Sequence, residues 1–103
     1  MKKVVFNGTP EQFGSSDFEK LMNEMNAEKI SGKYNERNSD FCDSYEKKEV
    51  YFSKENNLTI VYSEEPNFSD ITLYGSPKKI GIVKTKVLEA IASIPFDPEG
   101  LRL

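Results

Sequence analysis

The sequence predicts an α+β domain with the element order β-α-β-β-β-α, in which two helices pack on one face of an antiparallel three-stranded meander. Three stretches rich in β-branched and aromatic residues follow one another between residues 48 and 75, separated by turn-forming residues. Stretches with apolar residues at helical spacing lie on both sides of them. A chain of 103 residues holds one hydrophobic core, so residues 1–103 are predicted to form a single domain.

The N-terminal segment predicts a strand followed by a helix. KKVVF, residues 2–6, is rich in β-branched residues and runs into a turn-forming Asn-Gly pair. TPEQ, residues 9–12, offers an N-cap, a proline at the first helical position and a capping-box glutamine, and a second start follows at Ser16. We therefore predict one helical turn, a break, and a helix over about 16–27 whose buried stripe contains Phe18, Leu21, Met22 and Met25.

Residues 26–47 show no sustained apolar period and mix Asn, Ser, Gly and charged residues. This composition predicts a long connecting loop. Structureless loops of this length are uncommon in compact domains, so the alternative is a short strand around Ile30 to Tyr34.

The three strands of the meander are predicted over residues 48–54, 58–63 and 70–75. A three-residue loop over 55–57 would pair Phe52 with Ile60 and collect the apolar residues on one face, with Asn57 in the left-handed conformation. Alternation then directs three apolar side chains away from the helices: Tyr51, Val61 and Tyr74.

The last helix is predicted over about 77–94. Ser76 is a typical N-cap, Pro77 fits the first helical position, and Pro95 ends the helix. Its buried stripe contains Ile80, Val83, Val87, Ile91 and Ile94. Residues 95–103 are predicted to be a loosely docked tail.

The composition argues against most catalytic and metal chemistry. The chain has no histidine and one cysteine, Cys42, so it lacks an imidazole base and the ligands of a zinc site. Asp40, Asp43 and Glu46 surround Cys42, but their spacing fits no calcium loop and is typical of a solvated acidic turn. We predict no catalytic residues, no metal and no cofactor, and expect the protein not to be an enzyme.

Location and membrane contact are predicted from hydropathy and cysteine usage. No apolar run approaches the roughly 20 residues of a membrane helix, and the two N-terminal lysines precede no signal-peptide core. A lone cysteine fits a reducing compartment. We expect a cytoplasmic protein without membrane contact.

The last helix carries four lysines in a chain whose net charge is -3: Lys78, Lys79, Lys84 and Lys86. At about 100° per residue they do not share one face of the helix. Lysines that flank a buried stripe usually lay their stems along its margin and keep the ammonium in water. Contacts with the phosphates of a nucleic acid are the alternative.

Two resemblances bear on function. The order helix, three-stranded meander, helix, with GSPKK at the entry to the last helix, is similar to the double-stranded-RNA-binding domain. That resemblance implies phosphate contacts by Lys78 and Lys79, which match the family's lysines at this helix start. The opening strand, GTPEQF and helix resemble small uncharacterised proteins of phages and other mobile elements, which implies an accessory role.

These observations lead to two functional hypotheses. The first is a non-catalytic protein-binding module, a phage or mobile-element accessory protein that inhibits or regulates a host protein stoichiometrically through Tyr51, Val61 and Tyr74. The second is a weak nucleic-acid-binding domain that uses the lysines of the last helix. The sequence leaves the identity of a protein partner and the oligomeric state open.

Overall fold

The computed structural model describes residues 1–38 and 43–94. Cys42 and the predicted tail over 95–103 lie outside these residues. The α+β class is confirmed, with one more strand than predicted. The elements are, in chain order, β1 (Lys2–Gly8), α1 (Ser15–Glu24), β2 (Glu28–Asn38), β3 (Asp43–Ser53), β4 (Leu58–Glu65), β5 (Phe68–Tyr74) and α2 (Pro77–Ser93).

All five strands form one antiparallel sheet in the order β1-β5-β4-β3-β2. β1 therefore lies beside β5 at one edge, and β2 forms the other edge. Both helices contribute to one core with the same face of the sheet, as predicted. We call this the inner face and the opposite side the outer face.

The prediction of a loop over 26–47 is wrong for the described residues, which form a long hairpin instead. β2 pairs with β3 from Asn38 opposite Asp43 back to Glu28 opposite Phe52, with a bulge at Ile30. The alternative of a strand near Ile30 is right in kind, although the strand is 11 residues long. β2 is an edge strand with exposed side chains on both faces, so its sequence has no alternation to reveal it.

The β3–β4 turn has four residues, Lys54 to Asn57, and not three. Ser53 lies opposite Leu58, and its hydroxyl accepts hydrogen bonds from the backbone and side-chain nitrogens of Asn56 at 3.3 and 3.1 Å. Asn57 adopts the predicted left-handed conformation, with φ 50°. The predicted register is one residue out, which reverses the faces assigned to the side chains of β3.

Local polar contacts fix both ends of α1. The predicted turn before it is present, with the Thr9 N–H donating to Oε1 of Gln12 at 3.1 Å. The Gly14 N–H donates to Asp17 Oδ2 at 3.0 Å where the helix starts. The helix ends earlier than predicted because Asn26 takes φ 56°, which closes a left-handed C-terminal cap whose Ala27 N–H donates to the Met22 carbonyl.

α2 matches its prediction to within one residue. The Ser76 hydroxyl accepts a hydrogen bond from the Lys79 N–H, and Pro77 occupies the first turn. Ile80 and the two valines that follow it at helical spacing, Val83 and Val87, are fully or almost fully buried.

Aromatic contacts at Phe18 form the centre of the core. Its ring stacks on Tyr62 at 5.1 Å between centroids and meets Tyr51 edge to face at 5.3 Å. Aromatic pairs in these geometries contribute beyond the apolar area that they bury. These contacts fix α1 to the inner face, and no described element lies over the outer face.

Candidate functional site

The outer face presents three rows of side chains that cross all five strands, because residues opposite each other in an antiparallel sheet point to the same side. The first row, from β1 to β2, contains Lys2, Tyr74, Thr59, Phe52 and Glu28. The middle row contains Val4, Thr72, Val61, Val50 and Ser31. The third row contains Asn7, Asp70, Ser63, Lys48 and Lys33.

Four of the five side chains in the middle row are β-branched and form a band. Val61 is 8% exposed and Thr72 is 7% exposed, although no described element covers them. Side chains on the neighbouring strands shield them, so a ligand meets a nearly flat apolar floor. Val4 is 48% exposed at the edge of the band.

Tyr74 is the most exposed aromatic residue of the first row, with 40% of its surface accessible. The Lys2 ammonium lies 5.9 Å from the centre of its ring, within the range of a cation–π contact. Phe52 lies in the same row, two strands away, and is half-buried. The row thus holds two aromatic rings between charged ends.

The third row carries charges in an unusual arrangement. Lys33 and Lys48 lie directly opposite each other on adjacent strands, a like-charge pairing that disfavours the sheet. Asp70 lies on the same face, two strands from Lys48. Burial raises the pKa of Asp70, and the charges of Lys2 and Lys48 lower it in part.

The predicted outward direction of Tyr51 is wrong, whereas Val61 and Tyr74 do lie on the outer face. Tyr51 is 4% exposed and belongs to the core of the inner face. Burial is the main cause that raises its pKa, ahead of the carboxylates of Glu49 and Glu19. The binding role predicted for Val61 and Tyr74 stays a prediction, and Tyr51 leaves the candidate face.

The inner face carries a hydrogen-bonded carboxylate beyond the helices. Glu64 accepts hydrogen bonds from the Tyr62 hydroxyl at 2.6 Å and from the Tyr45 hydroxyl at 2.7 Å. The bond to Glu64, followed by burial, raises the pKa of Tyr45 to about 12, while burial is the main cause of the raised pKa of Tyr62. The Tyr45 ring stacks on Tyr34 at 5.9 Å. Phenols with raised pKa values stay protonated at neutral pH and are poor proton donors, so the cluster is suited to a structural role.

A second inner-face carboxylate fastens the edge strand. Glu49 is buried, and its Oε2 lies 3.2 Å from the Lys29 ammonium of β2. Lys47 Nζ lies 3.8 Å from the other oxygen and donates to the Ser15 hydroxyl at 2.8 Å. A Cβ on Gly32, opposite Glu49, would lie 2.9 Å from Cε of Lys29. The glycine therefore leaves room for Lys29 to reach Glu49.

The structure separates the lysines of α2 and brings one of them to β1. Lys78 and Lys86 are exposed, and Lys79 is half-exposed. The close approach of the Lys3 side chain, together with the repulsion between the two ammonium groups, lowers the pKa of Lys84. The Lys3–Lys84 pair is a cationic spot that the sequence did not predict.

The described side chains give little indication of other chemistry. Among them, no group of three histidine, cysteine or acidic residues is placed to hold a metal ion. No helix within the described ranges is both long and apolar enough to span a membrane. The outer face is the most extended surface that combines exposed apolar and charged side chains.

Comparison of the chain with protein-family models, with curated proteins and with solved structures finds no match.

Among the apolar side chains of the three rows, three are missing from the sequence prediction of the outer face: Val4, Val50 and Phe52. The last two were assigned to the inner face by the one-residue error in register. The polar pair Ser53 and Asn56 was the available signal, because a serine before the turn can accept hydrogen bonds from a residue three positions later.

Proposed function

We propose that this chain is a non-catalytic protein-binding module whose outer sheet face is its interface. The observation that carries the proposal is the combination of Tyr74 and Val4, both strongly exposed, with the β-branched floor of the middle row. Interfaces are enriched in aromatic residues at their centres, and contiguous exposed apolar patches are typical of interaction sites.

The distribution of charge supports this proposal. Lys2, Lys33 and Lys48 face the same side as Glu28 and Asp70, so charged residues surround the apolar band. A polar rim around an apolar centre is the usual arrangement at protein interfaces. The face can therefore combine apolar burial with charge-dependent choice of partner.

A module of this kind acts by occupying its partner, so its effect scales with the amount of protein present. This mode agrees with the expected role as a stoichiometric inhibitor or regulator of the accessory type. That role rests on the resemblance of the N-terminal segment and belongs to the proposal.

The test compares two tyrosines on opposite faces of the sheet. Tyr74→Ala removes an exposed ring from the outer face, and Tyr34→Ala removes a ring that is also exposed from the inner face. We expect Tyr74→Ala to abolish capture of a protein partner by immobilised chain and Tyr34→Ala to retain it. The free energy of unfolding of both variants should lie within about 1 kcal/mol of the native value because the rings that they remove are exposed.

Equal capture by the native chain and both variants would remove the outer face from consideration. Loss of capture by Tyr34→Ala alone would transfer the interface to the β2–β3 hairpin. A large loss of stability in Tyr74→Ala would mean that the ring belongs to a core.

The Lys3–Lys84 contact favours nucleic-acid binding as a second candidate function. The ammonium groups of Lys3 and Lys84 repel each other, and a phosphate bound between them would relieve this repulsion. Because the remaining lysines of α2 lie apart from this pair, we expect a dissociation constant no better than roughly micromolar. The logarithm of the binding constant should fall with the logarithm of the salt concentration with a slope of roughly -2 to -4. No binding to duplex RNA or DNA by fluorescence polarisation at about 50 mM salt would exclude it.

A further inference from the structure

We infer that the outer face is complementary to itself and that its partner is a second copy of this chain, packed face to face about a two-fold axis that runs along β4. The inference rests on the proposed function, since it names the protein that the same face binds. It follows from the order of residues within the rows. β4 is the central strand, with two strands on each side of it.

A two-fold axis along β4 exchanges the two sides of the sheet but keeps each row at its height. β5 of one copy then faces β3 of the other, and β1 faces β2. Each side chain therefore meets the residue at the mirrored position of its own row. This symmetry alone determines which side chains meet across the interface.

The charges of the first and third rows agree with this symmetry, whereas Glu65, the last residue of β4, meets its own copy beyond them. Asp70 on β5 faces Lys48 on β3 of the second copy, and Lys2 on β1 faces Glu28 on β2. Both pairs have opposite signs, and the symmetry forms each pair twice. The carboxylate of Asp70 also reaches the side of the sheet where Lys33 and Lys48 repel each other.

The apolar residues agree as well. Tyr74 faces Phe52, Thr72 faces Val50, and Val61 faces its own copy on the axis. Sheets that pack face to face lie about 10 Å apart, a distance that interdigitating side chains of this size fill. Aromatic and β-branched contacts thus occupy the centre, with the ion pairs around it.

The twist of the sheets determines how well each ion pair is aligned across the interface. Stacked sheets cross at about -30°, and such a rotation about Val61 displaces the Asp70–Lys48 pairs by about 4 Å and the Lys2–Glu28 pairs, at the edges, by about 6 Å. The Asp70–Lys48 pairs are therefore the less displaced of the two. The Lys2–Glu28 pairs depend on the reach of the long lysine.

The area of the face predicts a weak dimer. Five strands and three rows span about 24 by 20 Å, so the flat area is about 500 Å² per copy. Two copies together bury an area close to the lower limit of about 1,000 to 1,200 Å² for a specific interface. We therefore expect a dissociation constant of roughly 10 to 100 µM, so that monomer and dimer coexist at accessible concentrations.

The test is a charge exchange followed by sedimentation equilibrium. Native protein is measured from about 1 to 300 µM, a range that brackets the expected dissociation constant. Asp70→Lys and Lys48→Asp, made separately, each place like charges together twice per dimer and should raise the dissociation constant at least about tenfold. The double variant restores both pairs with reversed polarity and should dimerise like the native chain.

Circular dichroism of each variant verifies the fold, and Glu89→Lys, an exposed change of the same sign on α2, on the opposite side of the sheet from the outer face, is the matched control. A native chain that stays monomeric up to about 300 µM overturns the inference. Failure of the double variant to regain dimerisation also overturns it. In either case, the proposed function is tested separately by the capture of a different protein. Loss of that capture in Tyr74→Ala would support the proposed function, whereas capture unaffected by Tyr74→Ala would refute it.

Discussion

The two faces of the sheet are made from the same strands but differ in what covers them. On the inner face, Phe18 of α1 and Val83 of α2 pack against Tyr62 and its neighbours in a closed core. On the outer face, Val61 is shielded only by the strands beside it. Alternation along a strand divides its residues between the core and the outer face, and a one-residue change in register exchanges the two positions.

The largest difference in stability between the two faces is expected from a substitution on the inner face. Phe18→Ala removes a fully buried ring that contacts both Tyr51 and Tyr62, so we expect a loss of about 3 to 5 kcal/mol in the free energy of unfolding. Tyr74→Ala on the outer face should cost less than about 1 kcal/mol. Urea titrations followed by circular dichroism measure both, and similar losses would show that the faces are equivalent.

Overpacking at the end of β5 tests the same core from the other direction. A Cβ on Gly75 would collide with the buried side chain of Leu58 and lie 3.3 Å from the Asn57 carbonyl. We expect Gly75→Ala to destabilise the fold by about 1 to 3 kcal/mol. Gly81→Ala is the control, because nothing lies within 4 Å of a Cβ there, and its helix should become more stable. Equal stability of the two variants would contradict the packing described for Leu58.

Removal of Glu49 tests how the edge strand is held. Glu49→Ala leaves the ammonium groups of Lys29 and Lys47 without their shared carboxylate. We expect a lower melting temperature than in Glu46→Ala, an exposed change on the same strand, but a smaller effect than in Gly75→Ala. Hydrogen exchange should localise the change to β2, and protection there that equals the native value would refute this role of Glu49.

Alkaline titration gives the smallest effect. Tyr45 has an ordinary pKa near 10 when unfolded and about 12 when folded, so its contribution is fully present below about pH 10 and is lost as pH rises through 12. Glu64→Gln should lower the pKa of Tyr45 because it removes the charged acceptor. Absorbance titration at alkaline pH, compared with Tyr45→Phe, identifies its signal. An unchanged pKa in Glu64→Gln would mean that the hydrogen bond is not its cause.

The sequence was most informative where one face of an element is buried. α2 was predicted to within a residue because Ser76, Pro77 and the buried stripe agree. β2 was missed because both of its faces are exposed, so hydrophobic alternation was absent. The outer face was only half predicted, since Val61 and Tyr74 follow from alternation, whereas Phe52 depends on a turn length that Ser53 decides through its hydrogen bonds.

The six valines of the chain provide the most direct test of the claim that the outer face is where this protein associates. Val4, Val50 and Val61 lie on the outer face, and Val5, Val83 and Val87 lie in the core. Methyl-labelled valine spectra recorded over a dilution series should show concentration-dependent shifts for the first three and none for the others. Shifts confined to the core valines would contradict the claim. Unchanged methyl signals of the outer-face valines over concentrations at which the protein self-associates would contradict it as well.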